Sequence, residues 1–128
     1  MRIVSTAAIV TVTGCLTITA AQAACSGSNG RGWASGKGAG AFEMSTGDKE
    51  CRISFPGVIN EQAGTRIPAT EVSVTQSPKS GKIKVVKGRG ILYTPNAGFK
   101  GRDRFCTRNT TPKAPGVTLS GCITVTVK

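Results

Sequence analysis

The stretch that decides the fold is Tyr93-Thr94-Pro95-Asn96-Ala97-Gly98-Phe99-Lys100-Gly101-Arg102-Asp103-Arg104-Phe105. It lies within a run of short alternating strands that extends from residue 74 to residue 127. Apolar and polar residues alternate on both sides of its proline and glycine corner, which is the pattern of half-buried strands. Tyr93 and Phe105 are predicted to point inward and to bury large apolar surfaces. This pattern indicates an architecture and supplies no catalytic chemistry.

The same alternation recurs outward from this stretch, in segments roughly ten residues apart. Glycine and proline corners separate the segments, and no sustained helical period follows the first 23 residues. We therefore predict an all-β fold, an antiparallel β-sandwich of about seven strands. The predicted strands before and after the central stretch are Cys51–Phe55, Val72–Val74, Ile83–Val85, Ile91–Tyr93 and Val117–Val127.

The first residues have the features of a targeting segment. A short positive start is followed by an apolar stretch, and Ala21-Gln22-Ala23 is a small-x-small cleavage site. We predict a signal peptide over residues 1–23 and a secreted or periplasmic protein. The apolar run is too short and too rich in threonine and alanine for a membrane anchor. An alternative is a lipoprotein signal, Val12-Thr13-Gly14-Cys15, in which Cys15 would be lipidated; the ordinary cleavage is favoured.

Cysteine usage supports an oxidising compartment. The chain has five cysteines, and removal of Cys15 with the leader, or its lipidation, leaves an even set. In an exported chain such a set favours two disulfides, and four cysteines allow three connectivities. The set consists of Cys25, Cys51, Cys106 and Cys122.

Strand parity selects one connectivity. Cys106 and Cys122 are predicted to point outward, because their neighbours Phe105 and Ile123 point inward. A hairpin of the last two strands places these cysteines directly opposite each other, within bridging distance. By elimination the second disulfide is Cys25–Cys51, which would tie the N-terminal segment to the first core strand.

The segment that follows the leader is rich in glycine, serine and alanine. Because glycines make such a segment costly to order, we predict a loosely held arm over residues 24–50 and one sandwich domain over residues 51–128. Trp33, the only tryptophan, lies in this arm. It could contact a ligand such as a sugar ring, but folding back onto apolar surface is favoured.

Four segments of the chain resemble the bacterial Ig-like, cadherin-like repeat family in order and spacing. They cover about half of the chain after the predicted cleavage site, and the resemblance implies an Ig-like sandwich. The family serves as spacers, adhesin modules and polysaccharide-associated domains, so the resemblance implies a binding or structural role. This chain differs in being a single copy, basic and disulfide-bonded, which predicts a stand-alone domain. The segments are Pro78-Lys79-Ser80-Gly81-Lys82-Ile83, Ile91-Leu92-Tyr93-Thr94-Pro95, Gly98-Phe99-Lys100-Gly101-Arg102-Asp103-Arg104-Phe105 and Ile123-Thr124-Val125-Thr126-Val127.

The corner between Tyr93 and Phe105 has residues with predictable structural roles. Pro95 is expected to end a strand, and Gly98 and Gly101 to let the backbone turn. Asp103 is expected to accept hydrogen bonds from amides of the corner as an Asx-type brace. Calcium binding is the alternative for Asp103, but it needs clustered carboxylates, and no other acid lies from residue 79 to residue 128. We predict no metal site.

The residue inventory argues against an enzyme. The chain has no histidine, which excludes Ser-His-Asp and Cys-His arrangements and disfavours zinc. Oxidised cysteines leave no thiolate nucleophile. The only close pair of acids, Asp48 and Glu50, is expected on a turn, and the glycine-rich residues 36–40 lack the spacing of a phosphate loop. We therefore predict neither catalysis nor a cofactor.

The remaining functional signal is positive charge. The chain has 17 lysines and arginines against 6 acids, a net charge of +11. Such a charge favours solubility and attraction to anionic surfaces. A solvated, merely solubilising surface is one interpretation, and binding of anionic polysaccharide or another envelope polymer is the functional hypothesis. A protein partner is the competing class, and nucleic acid is disfavoured because few aromatic residues accompany the charges. The predicted contacts are Lys82, Lys84, Lys87, Arg89, Arg102 and Arg104.

Overall fold

The computed structural model describes residues 25–128, and these residues form an all-β fold. The predicted signal peptide and Cys15 lie outside the described residues. A single 3-10 turn, Trp33–Ser35, is the only helix in the described part, and it is far too short to span a membrane. The strands are β1 (Ser26–Ser28), β2 (Gly38–Met44), β3 (Cys51–Ile53), β4 (Gly57–Asn60), β5 (Thr65–Pro68), β6 (Glu71–Gln76), β7 (Gly81–Val86), β8 (Gly90–Pro95), β9 (Gly101–Thr110) and β10 (Leu119–Val127).

The strands form three sheets. The largest has the order β1-β2-β10-β9-β6, the second has the order β3-β8-β7, and β4 and β5 form a separate hairpin. The prediction of about seven strands is wrong, because β1, β2 and the β4–β5 hairpin add to the predicted set. Six of the seven strand pairings are antiparallel as predicted, and the exception is β2, which runs parallel to β10. An Ig-like arrangement stays a prediction.

The two larger sheets supply one shared core. Inward-facing residues alternate along β8, β9 and β10, as the period-two pattern predicts. Tyr93 of the three-stranded sheet and Phe105 of the five-stranded sheet are both fully buried. Their rings stack with centroids 6.4 Å apart and an interplanar angle of 7°. Each such side chain contributes roughly 1.5–3 kcal/mol when fully buried, so this pair joins the two sheets at the centre of the core.

Both predicted disulfides are confirmed. Cys106 lies directly opposite Cys122 in the antiparallel register of β9 and β10, and the two are bonded. The second disulfide joins Cys25 to Cys51. The bridges span sequence separations of 16 and 26 residues. Loop-closure entropy assigns each about 3 kcal/mol of stabilisation, which is a large share of the stability of a small domain.

The segment predicted as a loosely held arm instead belongs to the five-stranded sheet. Within it, β2 lies between β1 and β10 and buries alternate residues along its length. Gly38 lies opposite Gly121 of β10 and beneath the ring of Trp33. A Cβ atom added at Gly38 would lie 2.3 Å from this ring, and one added at Gly121 would lie 2.3 Å from the Gly38 Cα atom. The glycines therefore permit close packing here, which composition alone does not indicate.

Trp33 folds back onto the core, as favoured from the sequence. It is 6% exposed, and its Nε1 atom donates a hydrogen bond of 2.6 Å to the carbonyl oxygen of Asn29. Burial with a satisfied N–H group is the usual state of a core tryptophan. In this conformation the ring has no face free for a sugar.

Candidate anion-binding surfaces

The six cations predicted to form one surface lie on two different sheets. Lys82 and Lys84 belong to β7 of the three-stranded sheet, and Arg102 and Arg104 belong to β9 of the five-stranded sheet. The remaining two, Lys87 and Arg89, flank the turn between β7 and β8. The chain passes from one sheet to the other between β8 and β9, so β7 and β9 do not lie side by side in one sheet.

The first surface, here called the arginine face, consists of Arg102, Arg104 and Arg108. All three are exposed, and they share the solvent-facing side of β9. Alternate residues of a strand are about 7 Å apart and residues four apart about 14 Å. Arg102 and Arg104 therefore form a close pair, and Arg108 lies further along the same strand, beyond Cys106. Sequence-based selection omitted Arg108, although its parity is the same as that of Arg102 and Arg104.

Each arginine of this face has a hydroxyl residue opposite it on β10. Arg102 pairs in register with Thr126, Arg104 with Thr124 and Arg108 with Ser120. Residues directly opposed on one face of an antiparallel pair have Cβ atoms about 5 Å apart. A bound oxyanion can therefore meet a guanidinium group and a neighbouring hydroxyl group together, which are both hydrogen-bond donors.

A shallow depression lies beside the middle arginine. Its volume is about 170 Å³, and its floor is formed by small residues of β2. Of the three β2 residues that line it, only Ala39 points to the solvent, and its short side chain leaves room next to Arg104 and Thr124. The lining residues are Gly38, Ala39, Gly40, Arg104, Cys122 and Thr124.

No carboxylate forms a salt bridge with an arginine of the arginine face within residues 25–128. Among residues 25–128 the only salt bridge joins Lys128 to Glu43, at 3.3 Å. Asp103 lies between Arg102 and Arg104 in sequence, but it points into the core and is 5% exposed. Glu71 lies on β6, the strand next to β9, opposite Thr110 and therefore diagonally across from Arg108, and Glu43 of β2 is in register with Thr126. Neither acid forms a salt bridge with an arginine of this face. The three guanidinium groups are thus available for an external anion.

The second surface, here called the lysine face, lies on the three-stranded sheet. Arg52 of β3 and Lys84 of β7 are both in register with Leu92 of β8, which forms a row across all three strands. Lys82 lies opposite Thr94. Arg52, Lys82 and Lys84 are exposed, and with the turn residues Lys87 and Arg89 they make up the face. The sequence predicted that Arg52 is exposed but not that β3 lies near the lysines, because pairing between distant strands leaves no local signal.

The two faces are the exposed sides of two different sheets. The inward sides of both sheets contribute to one core, through residues such as Tyr93 and Ile91 on one side and Phe105 and Ile123 on the other. The exposed side of each sheet therefore faces away from the other sheet. Residues of the shared core therefore lie between the two groups of cations.

Asp103 forms the main buried polar contact of the fold. Its Oδ1 atom accepts hydrogen bonds from the amides of Lys79 and Arg104, both at 2.9 Å. Its Oδ2 atom accepts from the amide of Ser80 at 3.0 Å and from the Tyr93 hydroxyl at 2.7 Å. Asp103 therefore braces backbone amides, mainly those of the turn between β6 and β7 rather than those of its own corner. No group of three or more candidate metal ligands occurs in the part of the chain that is described.

The environment of Tyr93 strongly disfavours its ionised form. Burial raises the pKa of the Tyr93 hydroxyl well above its usual value, and the hydrogen bond to Asp103 and the negative charge of that carboxylate raise it further. The hydroxyl consequently stays protonated and donates to Asp103 throughout the physiological range.

The corner residues between β8 and β9 have the expected conformations. Pro95 is the last residue of β8. Gly98 and Gly101 have positive φ angles of 78° and 132°, which favour glycine. The amide of Phe99 donates to the carbonyl oxygen of Asn96 at 3.0 Å and closes the turn. This corner sets where β9 begins and so which of its residues face the solvent.

No protein-family model, curated protein or solved structure matches this chain. Its resemblance to the Ig-like repeat family rests on the sequence motifs alone.

Proposed function

We propose that this protein is an exported, non-catalytic, Ig-like module that binds anionic polysaccharide or a similar envelope polymer through the arginine face. The observation that carries the proposal is the row of Arg102, Arg104 and Arg108, each with a hydroxyl residue opposite it and none with a carboxylate partner. Guanidinium groups bind carboxylate, sulfate and phosphate oxygens in bidentate geometry. The two disulfides and the leader-like first residues support export.

An acidic polysaccharide suits this surface better than a single-stranded nucleic acid. Proteins that bind single strands without sequence preference stack bases on aromatic side chains. Here the six aromatic residues are buried or half-buried, so neither cationic face has an aromatic platform. A linear row of donors along β9 instead matches a chain that carries repeated acidic groups.

Retention on dextran sulfate beads over a sodium chloride series tests the proposal, with uncharged dextran as the matched matrix. We expect retention at low ionic strength and elution as salt is raised, because exposed charges are screened within about 10 Å at 0.1 M salt. The variant R102Q/R104Q/R108Q should elute at clearly lower salt. A control variant, K49Q/K79Q/K113Q, loses the same charge from exposed loop positions and should elute close to the unaltered protein.

Three results would reject the assignment. Absence of retention even at low ionic strength would remove the function. Equal shifts of the two triple variants would show that net charge alone, rather than the arginine face, governs retention. Tighter binding of a charge-matched single-stranded oligonucleotide than of the sulfated chain would favour nucleic acid as the ligand.

A protein partner is the second candidate, and one observation favours it. Val74 of β6 and Val85 of β7 are 43% and 38% exposed, although both point toward the inward side of their sheets. These two strands are edges of their sheets, and an edge can accept a further strand. Binding of one protein partner that is insensitive to salt would support this function over the polysaccharide.

A further inference from the structure

The lysine face is a second cationic surface, and the proposed function of the arginine face does not involve it. It lies on another sheet and contains Arg52, Lys82 and Lys84 on neighbouring strands, with Lys87 and Arg89 in the adjoining turn. None of these five side chains takes part in a salt bridge within residues 25–128. We infer that one molecule binds two acidic polysaccharide chains, one on each face, and thereby cross-links them. This inference rests on the proposed function of the arginine face.

The lysine face can bind the same kind of acidic chain, but its cations are arranged differently from those of the arginine face. Neighbouring strands are about 4.8 Å apart, so Arg52 and Lys84 lie about 10 Å apart across β8. Lys82 and Lys84 lie about 7 Å apart along β7. The cations are therefore spread over two dimensions, whereas those of the arginine face follow one strand. Leu92, half-buried between Arg52 and Lys84, gives the centre of the face an apolar point against which a sugar ring can pack.

The distance between the faces makes them independent sites. Packed sheets are about 10 Å apart, and the charged ends of the side chains extend outward from both. Their separation therefore exceeds the screening length of about 8 Å at physiological ionic strength. Binding of an anion at one face leaves the attraction at the other nearly unchanged. A stiff polysaccharide cannot bend around the core within one molecule, so two occupied faces hold two chains or two distant segments.

In a polymer network, binding through two faces raises the overall affinity and links separate chains. When one face is engaged, the second face samples nearby chain at a high effective concentration, and linked sites can gain 10²–10⁴ in overall affinity. A small protein with two opposed sites then acts as a cross-link between chains rather than as a coat on one chain. The Cys25–Cys51 disulfide suits this role, because it ties β3 of one sheet to the residue that precedes β1 of the other.

The competing explanation is that Lys82 and Lys84 only protect an edge strand. Lysines on edge strands discourage pairing with other chains, and β7 is an edge of its sheet. Under that explanation the lysine face binds no polysaccharide. The stoichiometry of binding separates the two explanations, whereas retention on beads does not.

Isothermal titration with a short sulfated oligosaccharide, too small to reach both faces, measures this stoichiometry. We expect two ligands per molecule for the unaltered protein, and one for either R102Q/R104Q/R108Q or R52Q/K82Q/K84Q. The charge-matched control K49Q/K79Q/K113Q should keep two. All substituted positions are exposed, and circular dichroism of each variant checks that it folds.

The outcomes distinguish this inference from the proposed function. One ligand per molecule, lost only in the arginine variant, would overturn cross-linking and leave the proposed function intact. One ligand, lost only in the lysine variant, would overturn both the inference and the arginine face as the site. No binding at all would remove the proposed function itself.

A capture assay then tests cross-linking directly. Dextran sulfate fixed to a surface is loaded with protein and then exposed to fluorescent soluble dextran sulfate. The unaltered protein should capture the labelled chain, and each single-face variant should load onto the surface but lose most of the capture. Equal capture per loaded protein by the unaltered protein and both variants would refute cross-linking by opposed faces.

Discussion

The buried carboxylate of Asp103 offers the sharpest test of what stabilises the fold. Replacement of Asp103 by asparagine keeps the shape of the side chain but removes its charge and one of its two acceptor atoms. The native carboxylate accepts four hydrogen bonds, from three backbone amides and the Tyr93 hydroxyl. The least costly orientation turns the new NH₂ group toward Ser80 and Tyr93, because the hydroxyl can rotate and accept. The amide of Ser80 then has no acceptor.

The expected loss follows from these contacts. An unsatisfied buried amide costs about 1–3 kcal/mol. Hydrogen bonds to a charged group contribute about 1 kcal/mol more than neutral ones. In the variant the bonds between residue 103 and Lys79, Arg104 and Tyr93 are all neutral. Asp103 is 5% exposed and Tyr93 is fully buried, so solvent compensates little. We expect D103N to lower the free energy of unfolding by about 4–6 kcal/mol, a large part of the 5–15 kcal/mol typical of a domain.

Urea unfolding, followed by the fluorescence of the single tryptophan, measures this loss. Trp33 is 6% exposed, so its emission reports exposure of the core. The matched control is D48N, because Asp48 accepts one backbone hydrogen bond, from Ser45 at 2.9 Å, in an exposed turn. We expect the control to lose less than about 1 kcal/mol. A loss for D103N below about 1 kcal/mol, or no larger than that of D48N, would refute the role given to the carboxylate.

Two further predictions follow from the core. The pKa of Tyr93 is raised above its unfolded value of about 10, so the folded state favours the protonated hydroxyl. The stability that this hydroxyl contributes is fully present below about pH 10 and is lost as pH rises toward the folded-state pKa. In an alkaline titration the tyrosinate absorbance of this only tyrosine should appear together with unfolding, and ionisation near pH 10 in a still-folded protein would contradict the burial argument. In the second prediction, Gly121→Ala places a Cβ atom 2.3 Å from the Gly38 Cα atom, so β2 must move away from β10. We expect the free energy of unfolding to fall by about 1–3 kcal/mol and the Trp33 emission to shift to the red. Gly47→Ala, which meets no atom within 4 Å, should change neither property, and equal behaviour of the two variants would show that the close approach does not matter.

Local alternation predicted the register of β9 and β10 and with it a disulfide. In these strands apolar residues recur at every second position, so the inward side is evident from sequence. Once Phe105 and Ile123 are both inward, an antiparallel hairpin leaves Cys106 opposite Cys122, as the structure shows. The prediction succeeded because the two strands are consecutive and their relation is local.

The strand β2 was missed because its inward positions give little hydrophobic signal. Its burial alternates from Gly38 to Met44, but two of the buried positions are glycines. Glycine counts as flexible in a propensity argument, whereas here it admits the ring of Trp33 above Gly38 and the backbone of Asn29 beside Gly40. What orders β2 is contact with distant residues, among them its parallel pairing with β10, and this contact cannot be read from the segment itself.

The division of the cations between two faces was also beyond local pattern. Parity correctly predicted that Lys82, Lys84, Arg102 and Arg104 point to the solvent. It could not show that β7 and β9 belong to different sheets, because the choice of sheet depends on pairing between strands far apart in sequence. The sequence therefore predicted that these cations are exposed, but not that they are divided between two sheets. This division gives two candidate sites instead of one.

The structure places the stabilising contact and the candidate site on opposite sides of one strand. In β9 the period of two residues that turns Asp103 into the core turns Arg102 and Arg104 to the solvent. Two guanidinium groups about 7 Å apart in water repel each other by only about 0.6 kcal/mol, so removal of the arginines should leave the stability nearly unchanged or slightly higher. Loss of the Asp103 carboxylate should instead reduce stability and leave the exposed charges in place. Stability and polysaccharide binding are therefore expected to respond to different residues of β9, which allows each to be tested without the other.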